Sequence, residues 1–163
     1  MAKPIHPILV HFPIALLVTS FAADAISSFA AIESLRNTGW WTLFAASALA
    51  VPTVVAGLLD MRRATLQEDA HVRVHRHMWV GITLLAATIG LAAWRWTYYS
   101  DPSRTLSMVY LDAAFLACAL AAFQGWLGGE LVYTHGVFVR ARSPGSADSS
   151  DGKPQDKPQA HSH

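Results

Sequence analysis

A single cysteine, Cys118, occurs in 163 residues, and it lies inside an apolar stretch. An internal disulfide, a CxxCH haem attachment and a cysteine-built zinc site are therefore excluded. Charge is also scarce: Asp, Glu, Lys and Arg make up 14% of the chain and the formal net charge is +1. No basic field is present to hold nucleic acid. Gly128-Gly129 has neither a preceding strand nor a following phosphate-binding lysine, and no nucleophile stands beside a base, which argues against phosphoryl and acyl transfer.

What is abundant is apolar surface. Apolar residues reach 53%, mean hydropathy is +0.31 and six Trp are present, a composition too apolar for a soluble domain of this size. The chain reads as an all-α integral membrane four-helix bundle with a disordered C-terminal tail. Residues 1-140 form the four-span domain and 141-163 the tail, whose Ser, Pro, Gly, Asp, Lys and Gln cannot support a core. His161 and His163 fall in that tail, outside any site.

The spans are expected at about 12-30, 40-59, 77-96 and 105-127. Pro13 suits the first turn of a helix starting near Phe12. A polar loop with Glu33, Arg36, Asn37 and Gly39 should follow, before Trp40 and Trp41 mark an interface and open the second span. Pro52 is expected to kink that span. Thr65 and Glu68 have capping-box spacing, which predicts a third helix starting in water near Leu66. Asp101-Pro102 offers a cap with Pro at the first position of the fourth helix, and Gly128-Gly129 should end it.

Four spans put both termini and the central loop on one side. That side carries Lys3, Arg62, Arg63, Arg73, Arg76, Arg140, Arg142, Lys153 and Lys157, against Arg36, Arg95 and Arg104 opposite. By the positive-inside rule the termini are cytoplasmic. The histidines follow the same division. His6, His11, His71, His75, His77 and His135 all fall on the basic side, contributed by three separate segments, and Asp60 and Glu130 join them. Imidazoles from different helices meeting at one depth can build a cofactor site that no single helix can. His11 and His135 are expected to share that site, with His77 as the third member. His6, His75, Asp60 and Glu130 are further candidate ligands, while His71 is expected to project into water.

Two more ionisable residues lie within the spans. Asp24 and Asp112 enter from opposite ends to similar depth, and intramembrane carboxylates are often functional. Both are expected to face the bundle interior, which opens a proton or ion path as one reading.

His6-Pro7 with Val10-His11-Phe12-Pro13-Ile14, then Gly57 to Asp60, and the run from Gly125 to Val137 resemble the bacterial four-span membrane family catalogued as domain of unknown function 2231. The resemblance covers about residues 4 to 140. It implies a four-helix integral membrane domain in the bacterial inner membrane, and it carries no established activity.

The residues leave three readings open. In the first, the histidines hold haem b, through two imidazoles from different helices, or a divalent metal with Asp60 or Glu130, in a module that serves other membrane redox proteins. In the second, the chain is a non-catalytic scaffold or accessory subunit, in which a homo-oligomer is a natural partner. The third is the carboxylate path. Contact with the lipid bilayer is common to all three, and nucleic acid to none. The charge division makes one outcome definite: a reporter fused after Arg142 should have cytoplasmic activity, and periplasmic activity there would reverse the assigned orientation.

Overall fold

The computed structural model describes residues 5-63, 68-101 and 104-133, and those residues form five helices: α1 (His6–Leu9), α2 (His11–Ala30), α3 (Glu33–Arg63), α4 (Glu68–Tyr99) and α5 (Met108–Tyr133). Four of them are long and apolar enough to cross a membrane. Each long helix packs on its neighbour in sequence, and α5 returns to pack on α2, which closes an up-and-down bundle. The short α1 lies against α3 and α2. His135, Thr65, Leu66 and the 141-163 tail lie outside the described residues.

Lipid tails are as apolar as leucine, so burial alone cannot hold such helices together. Close packing and buried polar contacts must. α5 accordingly turns its small residues inward, with Ala114, Ala117 and Ala121 at one-turn spacing against Leu17, Leu43, Ala46 and Leu91. Its large residues Phe115, Leu116, Phe123 and Trp126 face outward, as a lipid-contacting surface requires.

Several boundaries differ from the sequence expectation, each for a local reason. The polar loop expected around Glu33 to Gly39 is helical. Ala31 adopts a left-handed conformation (φ 52°) and closes α2 in one residue, so α3 restarts at Glu33. The charge of Arg36 does not break the helix. Its Nη2 donates to the carbonyls of Tyr98 (2.7 Å) and Arg104 (2.9 Å), pinning the connection between α4 and α5. Asp101 does not cap the fourth span. Ser107 does: its Oγ accepts from the Tyr110 amide at 3.2 Å and its carbonyl from the Leu111 amide, so α5 starts at Met108 rather than at 105. Gly128-Gly129 does not end α5, which continues to Tyr133.

The principal departure concerns the intramembrane carboxylates. Asp24 is fully buried, but its partner is Arg95, also fully buried. Arg95 Nη2 donates to Asp24 Oδ1 at 3.0 Å and Nε to Oδ2 at 3.1 Å, a bidentate fork. Tyr110 donates its hydroxyl to Asp24 Oδ2 at 2.9 Å, and Arg95 Nη2 also reaches the Arg36 carbonyl at 2.8 Å. One network thus joins α2, α3, α4 and α5. Asp112, expected to face the interior with Asp24, instead sits exposed on the outside of α5, among Val109, Phe115 and Leu116. Arg95, counted from sequence only among the basic residues of the far side, is the buried counter-charge.

Removing one member leaves the other charge uncompensated in a dry interior. Arg95→Met should therefore destabilise the bundle by about 3–5 kcal/mol, and adding Asp24→Asn should recover part of that loss. Unfolding of the purified protein in mixed micelles measures both; strictly additive losses would contradict the pairing.

Candidate functional site

At the end of the bundle away from Asp24, the chain enters through α1. Asp60, buried near the end of α3, accepts the amide hydrogens of Ile5 and His6 at 3.0 Å each through Oδ2. A carboxylate at a helix N-terminus meets the unsatisfied amides and the positive end of the dipole. Asp60 is thus the cap of α1 rather than a free ligand. The same contact fixes His6, whose Nδ1–H donates to the Thr53 carbonyl at 2.9 Å. A carbonyl only accepts, so the proton is on Nδ1, and Nε2 is left as a bare acceptor with no partner among the described residues.

His77 arrives from α4, with its ring centroid 6.0 Å from that of His6 and nearly perpendicular to it (87°). Gln124 of α5 determines its tautomer. The Gln124 Nε2 donates to the His77 carbonyl at 3.0 Å and to the His77 ring Nε2 at 3.2 Å. Both amide hydrogens are thereby used, the ring Nε2 is the acceptor, and the neutral ring carries its proton on Nδ1. That Nδ1 is buried without a partner among the described residues, and so is the Gln124 Oε1.

Glycines make room for these three side chains. A Cβ on Gly57 would stand 3.0 Å from His6 Nδ1, one on Gly81 would stand 2.9 Å from Gln124 Nε2, and one on Gly128 would stand 3.2 Å from His77 Cε1. Each is tighter than ordinary van der Waals contact. This is the packing reason for glycine within the helical parts of the motifs around Gly57 and Gly128, and it explains why Gly128 does not terminate α5.

The polar groups border a cavity of about 500 Å³, whose remaining lining includes Ile14, Val54, Val74 and Met78. It reaches the outside of the bundle at His11, Gly125 and Val132, all exposed. A smaller apolar cavity of about 70 Å³ shares His6, Ile14 and Gln124 with it and continues inward to Leu17 and Thr88. No Lys or Arg is among the described lining residues.

Of the sequence-predicted site residues, His6, His11, His77 and Asp60 therefore border one cavity. Glu130 does not: it pairs with Arg73 on the rim. His75 is exposed and its Nδ1–H donates to the His71 carbonyl at 3.0 Å. His135 is not among the described residues. Asp24 and Asp112 are elsewhere. Thr53 and Gln124, which orient the two imidazoles, escaped sequence reasoning because Thr and Gln in an apolar run carry no distinctive spacing. Gln124 being the only Gln within the four spans is the signal that singles it out.

The cap suggests a direct check. Asp60→Ala should weaken α1 by about 1–2 kcal/mol, read as faster hydrogen exchange at the Ile5 and His6 amides. Unchanged protection would show that Asp60 does not hold α1 in place.

No curated protein and no solved structure matches the chain. A family model does, over residues 2–141, under the description "Predicted membrane protein (DUF2231)". It covers all four spanning helices and the whole cavity. The chain is a member of the DUF2231 family of membrane proteins.

Proposed function

We propose that the protein is a membrane-embedded binding module of redox type, whose cavity at the cytoplasmic boundary of the bacterial inner membrane holds a cofactor or a membrane-borne redox ligand for other membrane redox proteins. One observation carries this reading: His6, His77 and Gln124, brought from three helices and oriented by hydrogen bonds, line an apolar cavity large enough for a small molecule. A mostly apolar cavity with a few convergent, oriented polar side chains is the usual form of a small-molecule site.

The donor set discriminates among occupants. A divalent metal needs three or four N, O or S ligands, and no cluster of three exists among the described residues. Haem b with two axial imidazoles needs a lone pair on each ring. His6 offers Nε2, but His77 has one nitrogen accepting from Gln124 and the other protonated. The residues therefore support at most one axial ligand, His6, and the lining described has no cation to meet the propionates. Haem held that way would supply one-electron chemistry, with His77 as a hydrogen-bond donor beside it. An organic redox molecule needs neither a metal-ligand set nor a cation, and the apolar lining suits it.

The carboxylate path has less in its favour. Asp24 is closed in a bidentate pair and Asp112 faces outward. The scaffold reading predicts a cavity with no occupant.

Absorbance, metal analysis and mass spectrometry of an organic extract of the detergent-purified protein test the proposal together. The expected result is about one small molecule per chain, lowered at least tenfold by Gly125→Leu, which adds a side chain to the cavity lining at a position where a Cβ meets no neighbour. A protein that carries nothing, and takes up nothing when its membrane lipid extract is returned, would favour the scaffold instead.

A further inference from the structure

Asp112 is the ionisable residue that α5 presents to the outside of the bundle within its span. That span runs from Met108 to Val132, so the carboxylate lies about 6 Å along the helix from its first residue. It is exposed among Val109, Phe115 and Leu116, and it has no hydrogen-bond or ion-pair partner among the described residues. Ionisable side chains within spans face a bundle interior or a cavity and pair with one another, because hydrocarbon offers them nothing. In a single copy of the chain Asp112 does neither, so the group that satisfies it comes from another chain.

The same face has the pattern of a helix seam. Met108, Asp112, Phe115, Ala119, Ala122 and Trp126 follow one another at alternating steps of four and three residues, and all of them are exposed. This is the heptad spacing with which two parallel helices interdigitate in a left-handed crossing. The small residues Ala119 and Ala122 at mid-span let two backbones come close, as helix interfaces in membranes require. A single polar residue in such a seam fixes its register.

Orientation and charge identify the partner. Two copies of one chain insert the same way round, so their α5 helices run parallel, and a two-fold axis along the membrane normal sets Asp112 of one copy opposite the partner subunit's Asp112 at equal depth. The seam carries one acid and no base. A lone acid is matched by its own copy when the two carboxyl groups hold one proton between them, the neutral member donating to the charged one. We infer that two copies of the chain associate through the outer faces of α5, and that their Asp112 side chains pair in this way across the axis. The association is independent of what the cavity at the histidine end holds.

Disulfide trapping in native membranes, on the full chain with Cys118→Ala to remove the natural thiol, tests the interface. Ala119→Cys and Ala122→Cys should each give a cross-linked dimer on oxidation, and Ile89→Cys, exposed on α4, should give none above background. Energy transfer between copies labelled on the C-terminal tail tests the pairing. After Asp112→Leu, association in bilayers should require about three- to tenfold more protein per lipid, as expected for the loss of one interhelical hydrogen bond. Asp112→Asn should leave it unchanged, because the amide both donates and accepts. Asp112 is exposed in the single chain, so neither substitution removes a contact within the bundle, and lost association cannot be mistaken for lost folding. Cross-linking that is absent, or equal at all three positions, would overturn the interface. Association undiminished by Asp112→Leu would overturn the pairing. So would a loss on Asp112→Asn as large as on Asp112→Leu, which would show that the charge is needed rather than a hydrogen bond shared by two acids.

Discussion

The bundle depends on one buried ion pair. In a membrane interior with no water, Asp24 and Arg95 must satisfy one another, and the geometry that achieves this involves every spanning helix: α2 and α4 provide the charges, α5 the Tyr110 hydroxyl and α3 the Arg36 carbonyl. Such a pair contributes more to orientation than to net stability, because desolvation offsets much of the attraction. Its effect here is to set the rotation of four otherwise interchangeable apolar helices at one end. Gly39 shows how tightly: a Cβ there would run into the Asp24 carboxylate, with 2.6 Å to Cγ.

The opposite end is built by the same device with a different outcome. There, too, polar side chains from separate helices meet against glycines, with Gly57, Gly81 and Gly128 clearing space for His6, Gln124 and His77. At the Asp24 end the two charges close on one another, with Arg95 Nη1 the one buried atom left without a partner among the described residues there. At the histidine end the side chains line a cavity instead. A clamp at one end and an open pocket at the other suit a module in which the helices hold still while a ligand enters from the membrane. The Asp60 cap on α1 extends that stillness to His6, which would otherwise sit on a frayed N-terminus.

The apolar runs, the tryptophans at the span ends and the basic asymmetry are averages over many residues, and for that reason the number and order of the spans were legible in the sequence. The convergence of His6, His11, His77 and Asp60 was legible too, since four spans leave only two ends for polar residues to gather at. Details that rest on one residue's partner were not. Arg95 between two tryptophans has the pattern of an interfacial anchor, and only its depth opposite Asp24 distinguishes it from one. Glu33 to Gly39 looks like a loop because its polarity is read as solvation, whereas Arg36 spends that polarity on carbonyls of another connection. Gly128-Gly129 looks like a stop because glycine ends helices, and here it admits a neighbour's imidazole. Asp112 was paired with Asp24 by depth alone, and depth does not specify which face of a helix a residue occupies.

The central claim is that the histidine end is a ligand site with a fixed donor and acceptor pattern. Nitrogen-15 NMR of histidine-labelled protein in bilayers tests it most directly, because protonated and bare ring nitrogens resonate far apart. His6 and His77 are both predicted to carry their proton on Nδ1, and a ligand taken up from the membrane lipid extract to shift their ring signals while those of the exposed His71 and His75 do not move. A proton on Nε2 of His77, or ring signals indifferent to any ligand, would contradict it.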